Sequence, residues 1–545
     1  MKRSSLALAF VLSALPVANF VACSAAGDPN EFPSGGAGAG GPGGTGGDSN
    51  VGGFNPVGSG GGDGGVGVIE TCEQAAAAKS YIGCDFWPTV VANNVWSVFD
   101  YAVVVANAGD EPADVTVTRG GGTVAQDTVP ANGLKTIYLP WVPELKGPDA
   151  DSCGSATPLS STVKLTDGAY HLVTSRPVTV YQFSALQYAP QGGPPGKNWG
   201  LCPAQQCFQE CFSYSNDASL LLPSTALTGN YRITGLGGWE IANMSPYIAI
   251  TGTQNGTNVT VSLTSLGQIS GGGGIPSANA GGQVTFTLQQ GEVAEILGTP
   301  NTDLSGSLVQ ADKPVQVIFG IPCVNVPEEA SACDHIEESV FPAETLGRRY
   351  FVTVPTSPGG APLGHGVRIY GNADNTVLTY PSGMPAGAPG TINAGQVVDL
   401  GQVGQNFEVV GDKEFAVGTF QLGASLIGGD RGDPAPSVAT AVEQYRVKYV
   451  FLAPIDYPEN YVDVVQPVDA TVTLDGAPVN APVTPIGSGF GVRRVPLTAE
   501  NQGAHVLEAS APVGIQVLGY GSFTSYQYPG GSDLNVIAPP PEQVE

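Results

Sequence analysis

Four histidines and nine cysteines are the residues of this chain best able to carry metal, redox or nucleophilic chemistry. Their spacing argues against most of it. His171, His335, His365 and His505 stand far apart. No His-Glu-x-x-His zinc pair and no Gly-x-Ser-x-Gly turn for a nucleophilic serine is present. Cys202, Cys207 and Cys211 crowd one stretch, but zinc ribbons need paired Cys-x2-Cys or partner histidines, and neither is near. Asp334 and His335 beside Cys333 would suit a Cys–His pair. The stronger reading is a short disulfide loop from Cys323 to Cys333, contributing roughly 2–3 kcal/mol through loop closure. Asp334 and His335 are then expected to hydrogen-bond that loop to the unit that follows. Turns at Asn372–Asn375 and Asp430–Asp433 offer oxygens to calcium, the one candidate cofactor. They lack the twelve-residue loop with a closing Glu and read as turns, so no cofactor is expected. Arg431-Gly-Asp433 is expected to lie exposed. Gly271–Gly274 has no Lys to make it a phosphate loop.

Compartment decides what the cysteines do. Lys2 and Arg3 precede an apolar run from Leu6 to Ala22, which gives way at once to small and polar residues. That pattern is a signal peptide over residues 1–22 rather than a membrane span. Phe20-Val-Ala-Cys23-Ser24 resembles a bacterial lipobox, which implies a lipid on Cys23. Ser after the Cys implies the outer membrane or cell surface; plain secretion is the alternative. Residues 23–71 are then the lipidated end and a Gly-rich tether that cannot bury enough apolar surface to fold. In an oxidising compartment Cys72, Cys84, Cys153, Cys202, Cys207, Cys211, Cys323 and Cys333 form an even set and read as disulfides. Cys72 is expected to pair with Cys84. Cys153 is expected to reach one of the 202–211 group, whose other two pair locally. Spacing alone leaves those connections open.

Whatever these side chains do, a block that recurs four times must position them. Each block ends in similar residues: Tyr170–Phe183, Leu308–Phe319, Phe407–Phe420 and His505–Leu518. Each reads as strand, polar turn, strand, a closing hairpin with Pro177, Pro314, Glu414 and Pro512 at one position. Upstream, a Pro precedes an aromatic at Pro88–Trp96, Pro223–Tyr231, Pro342–Tyr350 and Pro454–Tyr461. A Val/Thr strand and an apolar strand come next. Apart from an Ala-rich helix over Glu73–Ser80, period-2 segments bounded by Gly, Pro and Asn dominate. The fold class is therefore all-β. Four tandem β-sandwich-like units of about 100–130 residues are expected, with a closed propeller-like ring of sheets as the alternative. The units are drawn at 72–211, 212–332, 333–442 and 443–528, with a flexible tail over 529–545. In the second closing strand Val315, Val317 and Phe319 face one way and Gln316 and Ile318 the other, so the units can pack on one another.

Charge narrows the partners. The net charge is −27, with 12% charged residues. A chain so acidic does not bind nucleic acid, which needs clustered Lys and Arg, nor dock electrostatically on anionic lipid. Membrane contact is expected through the lipid anchor only.

Two stretches then carry a resemblance. Cys323-Val-Asn-Val-Pro-Glu-Glu-Ala-Ser-Ala-Cys333-Asp-His-Ile-Glu-Glu-Ser-Val-Phe-Pro342 and Ser215-Asn-Asp-Ala-Ser-Leu-Leu-Leu-Pro223, with the Lys313-Pro-Val-Gln-Val turn, resemble the N-terminal domain of the IgGFc-binding protein family. The resemblance runs from about Cys84 to Tyr528. It implies an exported protein without catalytic residues. The Cys-rich mucin-type domains of the animal members have no counterpart here, so the resemblance leaves open whether Fc binding applies to this chain. The expected function is non-catalytic adhesion or recognition of a surface protein or glycan, with no site residues to name. A glycan-active hydrolase with an unlocated carboxylate pair and a structural coat component are the alternatives.

Overall fold

The computed structural model describes residues 69–149, 153–154, 156–186, 212–213, 216–360, 362–454, 457–497 and 503–541. The leader, Cys23, most of the tether, Cys202, Cys207 and Cys211 lie outside them. The chain is all-β. A short capped helix, Cys72–Ala78, opens the described part: the Thr71 side chain accepts from the Gln74 N–H, and the Gln74 side chain accepts from the Thr71 N–H.

Both expected architectures have a counterpart in the molecule, because each unit packs two antiparallel sheets and four of those sheets close into a ring. In the second unit one sheet runs in the order Gln283–Leu288, Thr257–Ser262, Leu308–Ala311, Asn230–Arg232. The other runs Ile269–Ser270, Val293–Gly298, Tyr247–Gly252, Val315–Val324, Asp334–Ser339. Ile248, Ile250, Val259, Val261, Val309 and Val317 fill the space between them. The same order recurs in the other units. Each ring-forming sheet ends in one short strand: Ala218–Leu221, Asp334–Ser339, Pro436–Val438 or Thr524–Pro529. These four strands touch in a closed cycle and form the axis of the ring. The outward face of one ring sheet is buried on the next unit. Ile318 joins Tyr247 and Ala249 in the core of the first unit, while Val317 and Phe319 stay in the second.

Two expectations change. The closing motif is not a hairpin. Its two halves belong to different sheets and do not pair with each other. In the first and fourth units it is one long strand, His171–Phe183 or Gly503–Gly521. The polar turn is where the strand bends from one sheet to the other. There Ser175, Asp312, Asp412 and Ser510 each accept a backbone N–H from the neighbouring Val/Thr strand, at Asp114, Asn258, Val377 and Thr471 respectively. A Pro at the bend costs no ladder bond that the break has not already lost.

The aromatic of the repeat is a tyrosine that crosses the unit. Tyr231, Tyr350 and Tyr449 donate to the carbonyls of Val315, Phe415 and Val513, where the bent strand resumes. Each hydroxyl also accepts the N–H three residues upstream, at Thr228, Gly347 and Arg446. In the first unit Phe86 stands in register with Leu172 as Tyr231 stands with Val309. The counterparts in the outer units are therefore Phe86 and Tyr449, not Trp96 and Tyr461.

The borders also move. Ala218–Leu221 pairs with Val180–Phe183 of the first unit, and Asp334–Ser339 with strand Val315–Val324 of the second. The strand that ends one sheet leads straight into the next unit, so the chain spends no linker there. Nor does residue 530 begin a loose tail. Leu534 is buried and its N–H bonds the Lys79 carbonyl, Asp533 bridges to Ser80 and ion-pairs with Arg446, and Ile537 and Ala538 both donate to the Glu344 carbonyl. Residues 533–538 thus lock onto the start of the first unit at Lys79 and Ser80 and onto the third and fourth units at Glu344 and Arg446.

Candidate binding cleft

The axis is polar and sealed. All six residues of Asp334–Ser339 are buried. Glu337 sits at the centre: Gln182 Nε2 donates to its Oε1 at 2.9 Å, Ser219 Oγ lies 3.2 Å from the same oxygen, and His335 Nε2 is 3.1 Å from Oε2. Its backbone N–H donates to Asp217 Oδ2 at 2.8 Å. Gln182 accepts from the Thr89 N–H and Tyr101 hydroxyl, so the network ties the first unit to the second. Burial holds the carboxyls of Asp217, Glu295 and Glu338 well above their usual range. Perturbed carboxyls often mark catalysis. These ones face no opening, and their partners are backbone amides and neighbouring units.

Glu295 makes that structural role testable. Its Oε1 accepts the Ala92 N–H at 2.8 Å. Its folded-state pKa lies above the unfolded value near ~4.3, so the folded chain binds more protons between the two. The group therefore lowers stability, and the loss grows as pH rises out of the carboxylate range. Glu295→Gln is expected to raise the thermal midpoint, by more at about pH 8 than at about pH 5. Midpoints of both proteins across that range check it; an equal effect at both ends contradicts it.

The histidines do not assemble a nucleophile. His171 Nε2 lies 2.8 Å from Asp85 Oδ2, and the Ser224 hydroxyl bonds the other Asp85 oxygen. The carboxylate stands between imidazole and serine, whereas activation of a serine needs the imidazole in the middle. His505 pairs with Asp475 at 2.9 Å. His365 is fully buried, and burial, then Arg494, holds its pKa down at about 3. Asp334 and His335, expected to bond the disulfide loop outward, lie instead in the axial strand. Asp433 is 2% exposed, so Arg431-Gly-Asp433 is not an exposed tripeptide: Arg431 pairs with Glu459, and the Asp433 backbone bonds Ser525. In the other oxygen-rich turn Asn375 is left-handed and Asp374 accepts the Ala394 N–H, the work of turn residues. Among the described residues no three His, Cys, Asp or Glu are grouped to hold a metal.

Cys72 is bonded to Cys84 and Cys323 to Cys333, and Cys153 is also disulfide-bonded. The second bridge has a consequence at the surface. The loop it closes crosses to the third unit, with Gly423 N–H donating to the Val326 carbonyl and Ser331 N–H to Ser425 Oγ. Between this loop and the third unit opens a cleft of about 310 Å³, within the range of ligand sites. Leu236, Val326, Phe420 and Leu422 make an apolar floor. Trp239, Asn325, Glu328, Asp399 and Gln402 stand along the walls.

Arg368 pins the cleft. It projects from strand His365–Gly371 of the third unit into the second, donating to the Gly235 carbonyl at 2.6 Å, Ser305 at 3.2 Å and Asp303 at 2.6 Å. Its Nε lies 3.1 Å from Asp399 Oδ2. Asn325, Val326 and Glu328 lie in the stretch that carries the family resemblance and Phe420 ends the third closing motif, but nothing in the sequence marked them, Leu236, Trp239, Arg368 or Asp399 as a cleft. The available signal was a lone Arg inside an apolar strand of a chain with few cations.

The molecule is thus a four-unit all-β ring with a polar, closed axis and an apolar-floored cleft at a unit boundary. The family pattern of IgGFc binding protein matches residues 217–519, from the lip of the first axial strand into the last ring sheet. The chain belongs to the IgGFc binding protein family. Most of the first unit precedes the matched stretch. No curated protein matches the chain. Among solved structures, an anti-sigma factor domain-containing protein from Clostridium clariflavum is similar at 12% identity, covering 55% of this chain and 81% of that one, with a TM-score of 0.11. A second anti-sigma factor domain-containing protein is similar at 11% identity, covering 81% and 100%, also with a TM-score of 0.11. Likenesses that slight carry no argument.

Proposed function

We propose that this is a non-catalytic recognition protein displayed outside the cell, anchored by lipid on Cys23, that binds a partner protein through the loop surface around the cleft. Membership of a family named for IgGFc binding supports a protein partner at a surface. The observation that carries the reading is the division of polar groups. The raised carboxyls of Asp217 and Glu338 are buried at or beside the axis, and that of Glu295 is buried where it accepts the Ala92 N–H of the first unit, so these groups tie units together. The cleft that opens to solvent has an apolar floor and a rigid, disulfide-closed wall, the features of a binding site. Among the described residues no helix is long and apolar enough to cross a membrane, which is compatible with a lipid anchor.

Two assays test this. Cys23→Ala should release the protein from membrane fractions or block its processing; a wild type that never incorporates labelled fatty acid contradicts the anchor. The purified chain should turn over no glycan, ester or peptide. A hydrolytic activity that survives purification and vanishes with one Asp or Glu substitution would overturn the reading.

A further inference from the structure

We infer that the cleft takes a basic, apolar-flanked segment of a partner protein, with one Lys or Arg side chain at the acidic mouth and an apolar neighbour against Ile241. The inference rests on the recognition reading and specifies its ligand.

Charge is the first observation. Glu328 and Asp399 line the cleft, and Glu240 adjoins Trp239. The Asp399 side chain is 53% exposed, and Glu240 and Glu328 are exposed and form no ion pair among the described residues. The one cation in the wall is Arg368. It is sunk to 8% exposure, and its charge is already met by Asp303 and Asp399. Asp399 is thus shared with Arg368, but a cationic side chain arriving at the mouth finds Glu328 and Glu240 without having to displace a resident cation, while an anionic one meets their repulsion. A net charge of −27 adds a long-range field of the same sign, which speeds approach of basic partners.

Apolar surface is the second observation. Ile241 is 77% exposed, the most exposed large apolar side chain among the described residues. It rides on a tight turn held by two backbone bonds between Trp239 and Met244, with Asn243 left-handed at its end. The turn is thus rigid, and ordering it on binding costs little entropy. Leu266, 50% exposed, is linked to the cleft lining through the backbone: its carbonyl accepts the Asp303 N–H, and Asp303 bridges to Gly237. Apolar residues gathered beside a lined cleft mark a contact surface. A neutral glycan would use the walls but leave both carboxylate mouth and Ile241 without a role.

The test is fluorescence anisotropy with the full purified chain and labelled synthetic octapeptides. One set places Arg or Lys between Leu and Phe, a second replaces the cation with Glu, and a third replaces Leu and Phe with Ser. The first set is expected to bind at least about tenfold tighter than either control, and to weaken as salt rises. Glu328→Lys and Ile241→Glu should each reduce that binding about tenfold, because neither side chain supports the fold. Glu508→Lys on the fourth unit should leave it unchanged. Equal binding of all three sets, binding unaffected by both cleft variants, or retention of neutral glycans where no peptide binds would each overturn the inference. A partner protein captured equally by wild type and both variants overturns the cleft assignment and leaves the recognition reading standing, whereas substrate turnover removes both.

Discussion

Glu337→Ala is expected to destabilise the protein by about 3–5 kcal/mol, the cost typical of breaking a buried charge network by removing one partner. The carboxylate is wholly buried and is held by Gln182, Ser219 and His335. Alanine would leave the Gln182 amide, the Ser219 hydroxyl and the His335 ring facing a void at the meeting point of two units. Each unmet donor carries its own desolvation cost. Glu337→Gln keeps an acceptor in place and should lose markedly less. Equilibrium denaturation of both variants checks this. An alanine variant within about 1 kcal/mol of wild type would mean that the axis is not what registers the first unit against the second.

Removing residues 530–545 is the second large effect. Leu534 is among the most buried side chains outside the strands, and its loss resembles a core truncation. Six backbone bonds go with it, donated by Gly530, Asp533, Leu534, Ile537 and Ala538 and accepted by Ser532 from Tyr81, as does the Asp533–Arg446 ion pair. Together these amount to roughly 3–6 kcal/mol. The opened ring should also expose the helix at Cys72–Ala78, so limited proteolysis is expected to begin near that end. An unchanged thermal midpoint would contradict closure of the ring by the chain terminus. Leu534→Ala alone should reproduce part of the loss.

The sequence made the strands, the four-fold repeat and two disulfides legible, because period-2 patterning and paired cysteines are local signals. What it concealed depends on contacts between distant segments. Asp334-His-Ile-Glu-Glu-Ser339 has four titratable residues in six and no local mark of burial, yet every residue in it is buried, since Gln182, Ser219 and Asp217 supply its partners from more than a hundred positions away. The polar turn of each closing motif looked like a hairpin because both halves are strands; only the sheet to which each half pairs reveals a bend. Pro454 and Tyr461 matched a spacing, while the structural counterpart, Tyr449, follows Ala441 where the second and third units have Pro. The cleft was hidden for the same reason as the axis. Leu236, Val326, Asp399 and Phe420 become neighbours only when the second and third units pack.

That a partner protein is held at the cleft face is the central claim, and photo-crosslinking on intact cells tests it most directly. A photoreactive phenylalanine analogue placed at Ile241 is expected to capture a discrete protein, and the same analogue at Val124, an exposed site on the first unit, is expected to capture none. Adduct formation at 241 should fall when Glu328→Lys is combined with it. No adduct at 241, or equal capture at both positions, would contradict the account.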